Sequence, residues 1–262
     1  MSNEAILYRT HFYNPMIRRE VERLRTDIVD CPLWLVGYLN DEALLPPTPE
    51  ENLRMYRRAD LAALPYPRKI ADTNWSAPGG DNDLPILAFY GERPGYDYYW
   101  IVEYDVRFTG HWGKLFDRLR SSNADLLSTT IQDHAENPAW SWWHMLVNTP
   151  SGELERVRAF NPFCRLSNRA LAAVDAWYRE GGSGHYELIW SSVCKTRNFL
   201  IEDLGGEGRY TPERWRRRHY ANTPRELTLA PGTFVFRPGF TEEGIRTHGA
   251  KYGPMLWHPV KG

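Results

Sequence analysis

The chain has 262 residues, a net charge of −1, and apolar and charged fractions of 42% and 25%, which suits one large α/β domain with a substantial core. It carries no basic excess to hold a polyanion, so nucleic acid is not an expected partner. No apolar run reaches the roughly 18–20 residues that span a bilayer, and the start, MSNEAILYRTHFYNP, has neither part of a signal peptide.

In chain order, residues 5–12 (AILYRTHF) read as a first strand. Asn14-Pro15 supplies a cap and a proline at the first helical position, so 15–28 reads as an amphipathic helix. LWLVGYL (33–39) is a second, near-continuous apolar strand. This βαβ opening predicts a mostly parallel central sheet flanked by helices. Residues 40–85, rich in Pro, Gly, Asn and Asp, hold a short helix at 50–62 within a long loop of the kind that binds ligands. DYYWIVEYDVRF (97–108) is the strongest strand. A helix at 111–121 and a strand at 125–132 follow, and PAWSWWHMLVNT (138–149) is aromatic without a clear period. Ser167 caps a helix that Gly181-Gly182 ends, a second helix covers 186–196, and FLIEDL (199–204) is a strand. The tail reads as turns with a short strand at 233–237. With no repeat and no composition break, residues 1–262 form a single domain.

Three cysteines, Cys31, Cys164 and Cys194, are too scattered for a disulfide framework. A reducing cytoplasm is the expected location, with at most a peripheral association with membrane. Aromatic content is high, 14% with 11 Trp and 15 Tyr. Such rings fill cores, and they also cover the C–H face of a pyranose.

Side chains alternate along a strand, so a strand through IVEYDVRF puts Glu103 and Asp105 on one face. Two carboxylates in an apolar run are costly unless paired. A hard divalent cation removes that cost, Mg²⁺ or Mn²⁺ preferring carboxylate and phosphate oxygens; the alternative is ion pairing with Arg107 or Arg93. Glu187 follows a Gly-rich loop and falls in a first helical turn, where the dipole favours an ionised acid suited to act as a base; a helix-capping acid is the plainer alternative. His258 precedes Pro259, so it lies in extended chain, where a neutral imidazole makes a good third ligand. The spacing of Trp140, Trp142 and Trp143 gives no single helical stripe, which disfavours a pure core role and leaves a platform for a sugar ring as the alternative. Arg214, Arg216, Arg217 and Arg218 read as a solvated helix face, with the binding of an anionic group as the sharper reading.

The stretch YDYYWIVEYDVRFTGHW (96–112) resembles the region around the acid-x-acid (DXD) motif of GT-A-fold glycosyltransferases. It is similar to the W-x-x-E-x-D-V form of fungal mannosyltransferases and related bacterial proteins. GHYELIWSSVCK, LIEDLGGEGRY and LWHPVK follow in the order that fold expects. The resemblance implies a nucleotide-binding part at about 1–132 and an acceptor part at about 133–262. It implies a metal at Glu103, Asp105 and His258, and Glu187 as the base of an inverting transfer. The nucleotide of a UDP- or GDP-sugar donor would lie against Arg9, Thr10 and His11, with Asp72, Trp75 and Asp83 of the long loop near base or sugar. A carbohydrate would be the acceptor. A glycoside hydrolase using a carboxylate pair and a non-catalytic carbohydrate-binding protein are the alternatives. No G-x-S-x-G elbow, P-loop, G-x-G-x-x-G or H-E-x-x-H motif is present, so serine hydrolase, kinase and zinc protease readings have no support.

Overall fold

The computed structural model describes residues 2–38, 52–71, 81–146 and 152–261. Strand β1 (Glu4–Arg9) leads into helix α1 (Pro15–Asp27), whose cap forms as its residues dictate: the Asn14 side chain accepts from the Ile17 amide, with Pro15 at the first helical position. Then come β2 (Leu33–Tyr38), β3 (Leu53–Tyr56), α2 (Arg58–Ala62), α3 (Leu84–Glu92), β4 (Tyr98–Glu103), β5 (Arg107–Phe108) and α4 (Trp112–Leu119). The second half holds β6 (Leu126–Asp133), β7 (Val157–Ser167), α5 (Asn168–Arg179), α6 (Tyr186–Thr196), β8 (Ile201–Asp203), α7 (Glu242–Tyr252) and β9 (Leu256–Trp257).

Among the described residues a seven-stranded sheet runs β3-β2-β1-β4-β7-β6-β8, and β5 pairs with β9. The sheet is mostly parallel; β7 runs antiparallel to both β4 and β6. Alternation divides the central strands between two cores. Ala5, Leu7, Tyr99 and Ile101 face α3, α5 and α6, while Ile6, Tyr8, Trp100 and Val102 face α1 and α4. Burial on both faces explains why β1 and β2 read as unbroken apolar runs. Where β1 and β2 end, Gly37 lies so close to the Thr10 carbonyl that a Cβ would sit 1.6 Å from its oxygen. Only glycine lets the two backbones meet there.

The structure differs from the sequence reading in four places. The 50–62 helix is instead β3 followed by the single turn of α2. The 97–108 strand ends at Glu103, and a turn separates it from β5. Residues 233–237 contribute only an isolated bridge, Phe234 to His258, whereas α7 lies in the tail read as turns. Strand β7 carries Arg158, Asn161, Pro162 and Arg165 amid its apolar residues, and all eleven of its residues are buried. Each polar one finds a partner supplied by distant chain. Arg158 donates to Gln132 Oε1, Asn161 Oδ1 accepts from Ser128, and the Arg165 guanidinium lies over the Tyr98 ring and donates to the Ser122 carbonyl. Pro162 sits where the register with β6 shifts, which is where a strand tolerates proline.

Candidate metal and catalytic site

Strand β4 delivers Glu103 to the carboxyl edge of the parallel strands, and the Val106 amide closes a turn onto the Glu103 carbonyl at 3.0 Å. The turn, not strand alternation, carries Asp105. Its position is then set by the C-terminal segment. β5 pairs antiparallel with β9, and the Val260 amide donates to the Asp105 carbonyl at 2.8 Å, so His258 arrives beside Asp105. Glu103, Asp105 and His258 are buried, each with one ligand atom within 4.8 Å of the others.

The hydrogen bonds bear on what these three can hold. His258 Nδ1 lies 2.7 Å from the Val235 carbonyl, so that nitrogen carries the proton. In the neutral ring Nε2 then presents a lone pair toward Asp105 Oδ1, 3.5 Å away, and that oxygen is buried with no hydrogen-bond donor. Two facing lone pairs require a proton or a metal ion between them. The carboxylate, carboxylate and imidazole set fits a divalent cation, and the carbonyl on Nδ1 is the usual outer partner of a ligating histidine.

Neither Arg107 nor Arg93 pairs with the two acids. Arg107 turns away to Glu242 at 2.7 Å and donates to the Tyr104 and Val106 carbonyls. Arg9 Nη2 meets Glu103 Oε1 at 2.5 Å, and the Tyr186 hydroxyl donates to the same oxygen at 3.2 Å. Lys261, half exposed, holds Asp105 Oδ2 at 2.5 Å and donates to the Tyr104 hydroxyl at 3.0 Å. Burial by itself would raise the Asp105 carboxyl, but when the gap to His258 Nε2 is filled by a proton, the charged His258 together with Lys261 and Arg9 outweighs burial and holds it below its ordinary range.

Glu187 stands half-buried in the first turn of α6, next to Tyr186. Its carboxyl is pushed up to about 8, first by burial and then by the charge of Glu103, against Arg158 and the Asn161 backbone N–H. The helix dipole points the other way and loses. The buried His185 ring caps the helix, with Nδ1 accepting from the Glu187 amide at 3.3 Å.

Arg9, Thr10 and His11 line one narrow crevice with Gly37, Tyr38, Asp81 and Asn82, at the ends of β1 and β2. Asp83 does not reach a ligand-accessible surface: it is fully buried, ion-paired with Lys69 at 3.3 Å, and accepts from the Tyr178 hydroxyl at 2.6 Å. Asp72 and Trp75 lie outside the described residues. Arg214, Arg216 and Arg217 form no helix face; Arg214 lies within a short 3-10 turn, Arg216 and Arg217 follow it, and the three pair with Glu202, Glu213 and Glu207.

Sequence reasoning did not find Tyr186, Lys261 or Arg158. Tyr186 adjoins a residue already singled out, and Lys261 lies three residues beyond His258. No local pattern marks Arg158, which becomes relevant only once β7 is placed beside α6.

Residues 52–122 match the family model described as Protein of unknown function (DUF3405), a stretch that includes Glu103 and Asp105. No curated protein matches the chain. Similar solved structures include mouse xyloside xylosyltransferase 1, with a TM-score of 0.41 at 12% identity, covering 78% of this chain and 85% of that one. Core-mannan synthase A of Aspergillus fumigatus, in a Mn/GDP form, gives 0.37 at 11%, covering 78% and 73%. A putative glucose-1-phosphate thymidylyltransferase from Bacillus anthracis gives 0.41 at 12%, covering 78% and 87%. Likenesses this distant say nothing of chemistry.

Proposed function

We propose that the protein is a metal-dependent glycosyltransferase, moving a sugar from a UDP- or GDP-sugar to a carbohydrate hydroxyl. The observation that carries this reading is the 3.5 Å approach of Asp105 Oδ1, a buried oxygen with no hydrogen-bond donor, to His258 Nε2, beside Glu103, at the carboxyl edge of the parallel strands. Ligands of open α/β sheets bind at that edge. Glu103, Asp105 and His258 would hold Mn²⁺ or Mg²⁺, which would supply positive charge to neutralise that of a nucleoside diphosphate leaving group. Arg9, shared between Glu103 and the crevice, places a fixed cation where a diphosphate would lie. Tyr186 orients Glu103. Glu187, from the same helical turn, takes the proton from the acceptor hydroxyl in an inverting transfer.

A thermal-shift series tests the metal assignment. Mn²⁺ with UDP or GDP is expected to raise Tm by several degrees, since ligand at a hundred times Kd stabilises by about 2.7 kcal/mol and each kcal/mol moves a chain of this size by about 2–4 °C. Asp105→Ala should lose that shift. An unchanged shift in this variant would remove the metal from this site. Release of nucleoside diphosphate from a nucleotide sugar, rather than pyrophosphate from a nucleoside triphosphate, separates glycosyl transfer from nucleotidyl transfer.

A further inference from the structure

Three tryptophans lie within four residues at 140–143, and the fold treats them differently. Trp140 and Trp143 are buried, edge to face at 4.9 Å, against Leu188 of α6, and the Trp143 indole N–H donates to the Asn137 carbonyl. They are core. Trp142 is 39% exposed, yet it is not loose. Its ring runs near-parallel to that of His144 at 6.3 Å and to that of His185 at 5.4 Å. His185 in turn stacks on Tyr186 at 5.4 Å, and the Tyr186 hydroxyl bonds Glu103. A ladder of rings therefore runs from an exposed indole to Glu103 of the site. It passes through the residue that caps the Glu187 helix.

We propose that Trp142 is the platform on which the acceptor sugar stacks; this rests on the glycosyltransferase reading. A flat apolar ring complements the C–H face of a pyranose. An indole already held in one orientation costs little further entropy to order on binding. Burial and the nearby Lys69 hold His185 in its uncharged form, so the ring beneath the indole brings no charge into an apolar contact. The acceptor then lies over Trp142, one ring beyond His185, the residue that caps the Glu187 helix. The substrate class is a carbohydrate that presents an apolar pyranose face.

The experiment is a glycan array probed with labelled protein in EDTA and without nucleotide, followed by titration of the retained glycans. Trp142→Ala is expected to weaken them at least about tenfold, the scale of losing one aromatic anchor. Trp142→Phe should stay within about threefold of wild type, because it keeps a flat ring. Trp142→Leu, apolar but not flat, replaces the alanine variant should that fail to fold, and is expected to behave like it. The Mn²⁺–nucleotide shift should be the same in Trp142→Ala as in wild type. No glycan retained by wild type, or equal retention by the alanine or leucine variant, overturns the proposal. Glycan binding with the expected variant pattern but no Mn²⁺–nucleotide response would keep the platform and overturn the transferase reading instead.

Discussion

Glu187→Gln is expected to lower transfer by about 10²–10⁴-fold, the usual contribution of a positioned base, while leaving the Mn²⁺–nucleotide thermal shift intact. Substantial transfer by this variant would place the base elsewhere. The side chain's surroundings add a second signature. Its carboxyl is raised from 4.5 to about 8 in the folded protein, by burial first and the Glu103 charge second. Between those values the unfolded chain has lost this proton and the folded one keeps it, so stability from this group falls as pH rises from about 4.5 to about 8 and levels off above. Urea unfolding across this range should show that slope in wild type, and a shallower one in Glu187→Gln. A base must be ionised, so the transfer rate should rise with pH toward an apparent pKa at or below about 8, because any cation held by Glu103 weakens the repulsion that raises it. A rate flat over pH 5–8 would be incompatible with this assignment.

The second large effect is on stability and concerns Lys69. Lys69 Nζ is buried, donates to the Gly184 carbonyl at 2.8 Å, and pairs with Asp81 at 2.8 Å and Asp83 at 3.3 Å. Asp83 is fully buried at the start of α3, with the Tyr178 hydroxyl of α5 on its other oxygen. One ammonium thus ties α3 and α5 to the loop that introduces the Glu187 helix. Lys69→Met should cost about 3–5 kcal/mol, because breaking a buried pair leaves an uncompensated charge rather than merely losing an attraction. Burial already raises the Asp83 carboxyl above 3.8 against the pull of Lys69, and removing the lysine raises it further. The deficit should therefore be small below pH 4 and grow as the unfolded carboxyl ionises. Adding Asp83→Asn should recover part of it at neutral pH. Equal losses in the single and double variants would mean that Lys69 does not act through Asp83.

Local chemistry made much of this protein readable in advance. Asn14-Pro15 and Ser167 cap α1 and α5 as expected, and Gly181, with φ +97°, follows α5 in a left-handed conformation that favours glycine. The apolar runs of β1, β2 and β4 could only be strands buried on both faces. Glu103 and Asp105 stood out because two acids in such a run need a reason. These signals lie within a few residues of one another, so sequence alone determined them.

Tertiary structure decided the rest, because the decisive partners are distant in sequence. β7 could not be read as a strand, since its arginines, asparagine and proline become tolerable only beside Gln132, Ser128 and Tyr98. Asp105 meets Glu103 through a turn, and His258 reaches both because β9 pairs with β5 across about 150 residues of chain, a separation over which local propensity carries no information. Asp83, read as a ligand contact, became a core anion once Lys69 and Tyr178 closed over it. Glu187, expected to be ionised at a helix start, instead has its carboxyl pushed up to about 8 by burial and the neighbouring Glu103, which only the folded chain supplies.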